Sequence, residues 1–253
     1  MDRQMGWRPG RRALLAATGA ALAGCAPGWN RIRPGSMGDV GVGVGDEVWL
    51  AGRDGTVWRR SGSSNSFEQI PGPGAAIARV SPGRGKLWAV GFDGSLWFYD
   101  WTLLRPGWQR TSASGIGDVS ASEEGPVWVA GRDNGTLWLT GDTGSQFTQM
   151  AGNRLFRLAA SRNYIVWGVF IDRTVWRFQG VSWTPTQIGN MRDVAWGGPD
   201  QRIWLAGQDG NVWWSQAGGA PTRIEATGIQ SLDVAWDGKV WGVDENGYVW
   251  RSA

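Results

Sequence analysis

Three observations predict an all-β chain folded as a six-bladed β-propeller of four-stranded blades, the last blade closed by the N-terminal strand. One tryptophan-paired segment recurs six times, its copies stand about forty residues apart, and the two chain ends complement each other. The copies are VWLAGRDGTVWRR from Val48, LWAVGFDGSLWFY from Leu87, VWVAGRDNGTLWLT from Val127, VWGVFIDRTVWRF from Val166, IWLAGQDGNVWWS from Ile203 and VWGVDENGYVWRS from Val240. Their first tryptophans, Trp49, Trp88, Trp128, Trp167, Trp204 and Trp241, are separated by 39, 40, 39, 37 and 37 residues. Their second tryptophans are Trp58, Trp97, Trp138, Trp176, Trp213 and Trp250, and Asn134 is an insertion in the third copy.

Each copy reads as a β-hairpin. Two runs rich in Val, Ile, Leu and Trp flank a turn such as Asp54-Gly55, Asp93-Gly94, Asp209-Gly210 or Asn246-Gly247. Gly and Asn tolerate the positive φ of tight turns. The fourth copy departs, with Asp172-Arg173 in its turn. The runs are apolar at both parities, as in strands covered on both faces, which is the situation of a blade between two neighbours. A strand is expected before each hairpin, as in Gly38-Asp39-Val40-Gly41-Val42 or Gly117-Asp118-Val119-Ser120. Another is expected after it, as in Phe67-Glu68-Gln69-Ile70 or Phe147-Thr148-Gln149-Met150. The sixth copy stops at Ala253, after its third strand. Residues 29–35 match the missing fourth strand in type, so they are expected to complete blade six of a propeller occupying residues 29–253.

The first 24 residues read as a signal peptide. Arg3, Arg8, Arg11 and Arg12 form a basic n-region, and residues 13–23 form an apolar run too short to span a bilayer. Leu22-Ala23-Gly24-Cys25 resembles a bacterial lipobox, whose cysteine is acylated and becomes the first residue after cleavage. The resemblance implies that Cys25 is the lipidation residue, that residues 25–28 are a tether, and that the protein is exported and lipid-anchored to a membrane. Ala26, which is not Asp, implies the outer membrane or cell surface if the organism is Gram-negative. Arg11-Arg12-Ala13-Leu14-Leu15 also resembles a twin-arginine signal, with Gly10 and Leu14 departing from it; an ordinary basic n-region reads equally well. The formal charge of +3 belongs to this segment: without residues 1–24 the chain carries 21 basic and 21 acidic residues. Nucleic-acid binding, which needs a basic patch on the folded domain, is therefore not expected.

Histidine is absent and cysteine occurs once. That excludes Ser-His-Asp and Cys-His nucleophile pairs, histidine metal sites, an internal disulfide and a cysteine zinc cluster. The acidic residues recur with the repeat or lie in turns, and the adjacent pair Glu123-Glu124 sits in a Gly-Pro loop. An enzyme is the least expected class, and no cofactor is expected.

Residues 240–251, Val-Trp-Gly-Val-Asp-Glu-Asn-Gly-Tyr-Val-Trp-Arg, resemble the tectonin repeat: Val-Trp-Gly-Val, a polar turn with Gly, an aliphatic, an aromatic and Arg. Residues 166–177 keep Trp-Gly-Val but lose the glycine turn, and the other copies replace Gly-Val. The resemblance spans residues 29–253. It implies a six-bladed propeller and, since several tectonin-family members are lectins, a partner that is a glycan or lipopolysaccharide. The second expectation is an assembly or scaffold lipoprotein that docks a protein partner through a propeller face.

The repeated tryptophans are expected to fill the space between blades. Departures from the repeat carry the binding candidates. The loop 99–107 of blade two is the longest and most apolar of its kind, which singles out Tyr99, Trp101 and Arg105. Trp214, beside the repeated Trp213, is the fourth candidate. Asp39, Asp118, Asp193 and Asp233 are read as one register position on the first strands, with Arg79 and Arg157 in the other two blades: a mixed channel ring that either holds a cation or accepts backbone N–H bonds.

Overall fold

The computed structural model describes residues 28–33, 35–45, 47–60, 64–83, 85–122, 125–152, 154–161, 164–226 and 228–253. The expected signal peptide, Cys25 and Glu123-Glu124 lie outside them. In chain order, β1 (Trp29–Arg33) precedes blade one: β2 (Met37–Val42), β3 (Val48–Gly52), β4 (Val57–Arg60) and β5 (Phe67–Ile70). Blade two is β6 (Ile77–Gly83), β7 (Lys86–Gly91), β8 (Leu96–Asp100) and β9 (Gly107–Arg110). Blade three is β10 (Ile116–Ala121), β11 (Val127–Gly131), β12 (Leu137–Thr140) and β13 (Phe147–Gln149). Blade four is β14 (Leu155–Ala160), β15 (Ile165–Phe170), β16 (Val175–Gln179) and β17 (Ser182–Pro185). Blade five is β18 (Met191–Gly197), β19 (Arg202–Gly207), β20 (Val212–Ser215) and β21 (Thr222–Ile224). Blade six is β22 (Ile229–Val234), β23 (Val240–Asp244) and β24 (Val249–Ser252), with β1 as its outer strand. All six sheets are antiparallel, and β1 pairs with β24 from Trp29 opposite Ser252 to Arg33 opposite Val249.

The first tryptophan of each hairpin packs toward the following blade. Trp49 sits with Ile77, Val80 and Leu87, Trp128 with Leu155 and Leu158, and Trp241 with Met37, Val40 and Leu50. Trp49, Trp88, Trp128 and Trp241 are fully buried. Such rings remove large apolar areas from water at each joint between blades. The second tryptophans are half-buried or, for Trp250, buried, and the indole N–H groups of Trp58, Trp97, Trp176 and Trp250 donate to side chains. Trp58 Nε1 donates to Thr56 Oγ1 (2.8 Å), Trp97 Nε1 to Ser95 Oγ (2.7 Å) and Trp176 Nε1 to Thr174 Oγ1 (2.8 Å).

Antiparallel alternation fixes two faces. Loops from first to second and from third to fourth strands lie on one, the loop face. Hairpin turns and connections between blades lie on the other, the turn face. Each hairpin turn is latched to the next blade on the turn face. The carbonyls of Gly55, Gly94, Gly135, Arg173, Gly210 and Gly247 accept from the first N–H of the neighbouring inner strand: Ile77, Ile116, Leu155, Met191, Ile229 and Met37. The accepting residue has positive φ in every blade, +62° at Gly135 and +80° at Gly247 for example. A Cβ at Gly135 would lie 2.0 Å from Leu155 N, so glycine is sterically required there. Arg173, with φ +70°, is the non-glycine exception.

Candidate functional site

The inner strands β2, β6, β10, β14, β18 and β22 surround an axial cavity of about 100 Å³. Its walls carry charge at one register level. Asp39 opposes Ala51, Arg79 opposes Val90, Asp118 opposes Ala130, Arg157 opposes Val169 and Asp193 opposes Ala206. In blade six this level holds Ser231, opposite Val243. Asp233 lies in the channel wall but one pleat further along, opposite Trp241, which corrects the reading of four aspartates in one register. The resulting ring reads Asp, Arg, Asp, Arg, Asp, Ser.

These side chains tie blade to blade. Asp39 accepts from Val80 N (2.9 Å), Arg79 Nη1 (3.0 Å) and Ser231 Oγ (2.7 Å). Asp118 accepts from Leu158 N (2.9 Å), Asp193 from Leu232 N (3.0 Å), and Asp233 from Val42 N (2.7 Å) and Val234 N (2.8 Å). Burial works against these carboxylates. It pushes Asp193 up to about 7, with Asp39 adding repulsion and Arg79 opposing. Burial likewise pushes Asp233 up to about 7 against its two backbone hydrogen bonds, and lifts Asp118 well above the usual range. Burial alone would lower Arg79, but Asp39, Asp118 and Asp193 together hold it charged. Among the described residues no group of three or more acidic or cysteine side chains is arranged to hold a metal ion. The ring's visible work is joining blades.

A second cavity, of about 310 Å³, opens at the turn face and is lined by Phe156, Arg157, Arg173, Arg192, Gln208 and Gln230. It is built from departures from the repeat. Arg173 occupies the latch position that is glycine in the other five blades. Phe156 occupies a level that elsewhere carries Gly38, Ala78, Gly117, Arg192 and Gln230. Two guanidinium groups lie over the Phe156 ring, Arg173 at 4.0 Å and Arg157 at 4.4 Å from its centroid. Arg157 Nε is 3.5 Å from Asp193 Oδ1, an ion pair without hydrogen-bond geometry. The Nε atoms of Arg157 and Arg192 are buried without a hydrogen-bond partner. Guanidinium groups bind carboxylate and phosphate through paired N–H donors, so a pocket with three of them is suited to an anionic ligand. The turn sequence Asp172-Arg173 was the legible signal of this site. Its convergence with Phe156 and Arg192 depends on contacts between blades.

The four expected ligand residues do not form one site. Tyr99 and Trp101 pack into the joint between blades one and two, where Trp101 stacks on Trp49 (centroids 5.4 Å, 28° between planes) and Tyr99 meets Trp49 edge-on. Trp101 is thus half-buried on its own fold, while Arg105 is exposed on the loop beside it. Trp214 lies on β20 in blade five, across the ring, with the Arg202 guanidinium 4.0 Å over its ring.

No family model matches the chain, and no curated protein matches it. Solved structures do. A streptogramin B lyase superposes with a TM-score of 0.62 at 12% identity, covering 88% of this chain and 96% of its own. YCF48 from Cyanidioschyzon merolae superposes with a TM-score of 0.60 at 12% identity, covering 89% of this chain and 98% of its own. At that identity the likeness is one of fold, and the chain is a β-propeller.

Proposed function

We propose that this protein is a non-enzymatic, lipid-anchored, lectin-like propeller that binds an acidic saccharide, one bearing carboxylate or phosphate groups as lipopolysaccharide does, at the turn-face pocket. The observation that carries the reading is Arg173. Five blades place glycine at this left-handed position; blade four places an arginine there, and its guanidinium lies over Phe156 beside Arg157 and Arg192. A strained residue kept at a pocket is accounted for by what its side chain does there. The tectonin-like repeats and the lipobox-like Cys25 point the same way. The channel carboxylates are engaged in joining blades and so are not themselves a free acid pair for hydrolysis.

The test is calorimetric titration of the full chain with acidic, phosphorylated and neutral oligosaccharides. Acidic sugars bind and neutral ones do not. Arg173→Gly, which restores the repeat, weakens binding by about tenfold or more, the scale of a lost charged hydrogen bond, without lowering the melting temperature. Trp101→Ala leaves affinity unchanged. Equal binding by Arg173→Gly overturns the turn-face pocket as the site, and co-purification of a protein partner with no sugar bound overturns the reading in favour of a scaffold.

A further inference from the structure

Among the described residues, eight large apolar side chains stand exposed: Val44, Phe92, Leu103, Leu104, Tyr164, Ile171, Val181 and Trp236. Their placement is uneven. Phe92 and Ile171 lie in hairpin turns on the turn face. The other six lie in loops of the loop face: Val44 in blade one, Leu103 and Leu104 in blade two, Tyr164 and Val181 in blade four, Trp236 in blade six. Leu104 is 100% and Val181 81% exposed, so neither is packed on its own fold. At the centre of this face, Val42, Val44, Pro82, Trp196, Val234 and Trp236 line a shallow depression over the channel mouth.

The chain enters the propeller on the same face. β1 runs antiparallel to β24, so Gly28 stands beside the end of the sixth blade's third strand, where its carbonyl accepts from Ala253 N (2.6 Å). Cys25 stands three positions before Gly28, and three extended steps of chain reach about 11 Å at most. A lipid on Cys25 therefore brings the loop face, not the turn face, against the bilayer.

We propose that the loop face is a bilayer-docking surface, on which Val44, Leu104, Val181 and Trp236 enter the headgroup region around a tether at Cys25; this rests on the lipid-anchor reading of the preceding section. Three features favour a lipid surface over a protein as the occupant. The apolar side chains are spread around the ring on four blades, which suits a plane rather than a contiguous interface. They include Trp and Tyr, which partition to membrane interfaces. Charged pairs described on the face, Arg202 with Asp200 (2.9 Å), Lys86 with Asp100 (3.8 Å) and Lys239 with Asp237, neutralise each other as it approaches a bilayer. Docked this way, the anionic-ligand pocket faces away from the membrane.

The test uses the full chain expressed in bacteria, purified in its mature form and reconstituted into phosphatidylethanolamine–phosphatidylglycerol vesicles. Mass spectrometry of the N-terminal peptide reads the anchor, and hydrogen exchange reads the docking. The expected result is a diacylglyceryl group on Cys25, with exchange slowed about tenfold in loops 43–45, 102–105, 180–181 and 236–238 and unchanged in turns 53–55 and 171–173. In the variant Val44→Ser, Leu104→Ser, Val181→Ser, Trp236→Ser, still acylated, that protection is lost. An acylated Cys25 with those loops unprotected overturns the docking and keeps the anchor. Protection that appears without vesicles and grows with protein concentration assigns the face to a second copy and overturns it. An unmodified Cys25 overturns the anchor, and the docking with it.

Discussion

At Asp193 and Asp233, burial and hydrogen bonding pull in opposite directions. Backbone N–H groups favour the carboxylate, desolvation favours the acid, and desolvation prevails by enough to move both to about 7. The unfolded chain releases these protons near 3.8. Between those values the folded state holds more protons than the unfolded one, so stability falls as pH rises through the window and levels off above about 7. Below the window the turn carboxylates act with the opposite sign. Hydrogen bonds from Thr56, Ser95 and Thr174 hold Asp54, Asp93 and Asp172 below the usual range, and that stabilisation is lost as they protonate. Thermal melts are therefore expected to peak near the lower end of the window, about pH 4, and fall by about 5 °C by pH 8, with Asp233→Asn flattening the fall. A melting temperature that rises from pH 5 to pH 8 contradicts this balance. Arg173 gives a second prediction at this scale. Its φ of +70° is costly for any side chain, so Arg173→Gly is expected to raise stability by about 1 kcal/mol in denaturant titration. A loss of stability would assign Arg173 to the fold rather than to the pocket.

The hairpins show how one element solves one problem in two ways. In blade one, Asp54 Oδ1 accepts from Thr56 N (3.1 Å) and Thr56 Oγ1 (2.6 Å), and Thr56 Oγ1 accepts from Trp58 Nε1 (2.8 Å). The carboxylate folds over Gly52, where a Cβ would lie 2.3 Å from Asp54 Oδ1. Blade six moves the carboxylate to that glycine position. Asp244 accepts from Asn246 N (2.8 Å), Tyr248 N (2.9 Å) and directly from Trp250 Nε1 (2.8 Å). Thr56→Val strands the Trp58 indole N–H and removes one of the hydrogen bonds Asp54 accepts, and is expected to cost about 1–2 kcal/mol. Thr56→Ser is expected to be near neutral, because Ser95 does the same work in blade two. Equal stability of the two variants in urea titration would show that the relay contributes nothing. The hairpins themselves were legible because their pattern is local, two apolar runs around an Asp-Gly turn. The register of Asp233 was misread for a local reason too: its Asp-Val-Ala matches Asp193-Val194-Ala195. Its distance to Trp241 is eight residues where Asp39 and Asp118 stand ten before Trp49 and Trp128, and that interval held the answer.

At the scale of the molecule, the repeat made the ring legible, while what depends on neighbouring blades did not show. Trp101 looked free because its loop is long, yet its partner Trp49 belongs to the preceding blade. Closure was legible because it leaves a deficit, a sixth copy lacking its outer strand. The structure adds that β1 does more than fill the gap. Trp29, at 7% exposure, joins Ile229, Leu232 and Trp250 in the blade-six core. Arg31 lies 5.0 Å over Tyr248 of the same blade, whereas Arg33 reaches across to blade one, 3.8 Å over Trp58 and 5.7 Å over Phe67. The joint between the last and first blades is therefore held near the axis by Asp233 and Asp39, in its middle by Trp241, and at its rim by β1. Because β1 precedes every other strand in the chain and β24 follows them, this joint forms only when the rest of the ring is in place, and its loss opens the ring rather than loosening one blade. Trp29→Ala is expected to lower the melting temperature by about 10 °C, the scale of a buried aromatic truncation in a domain this size. Arg33→Ala removes only the contact to blade one and is expected to lower it by about 2 °C, an exposed-rim cation–π contribution. If both variants melt with the wild type, the ring is held by its inner tiers alone and β1 is an accessory to the fold.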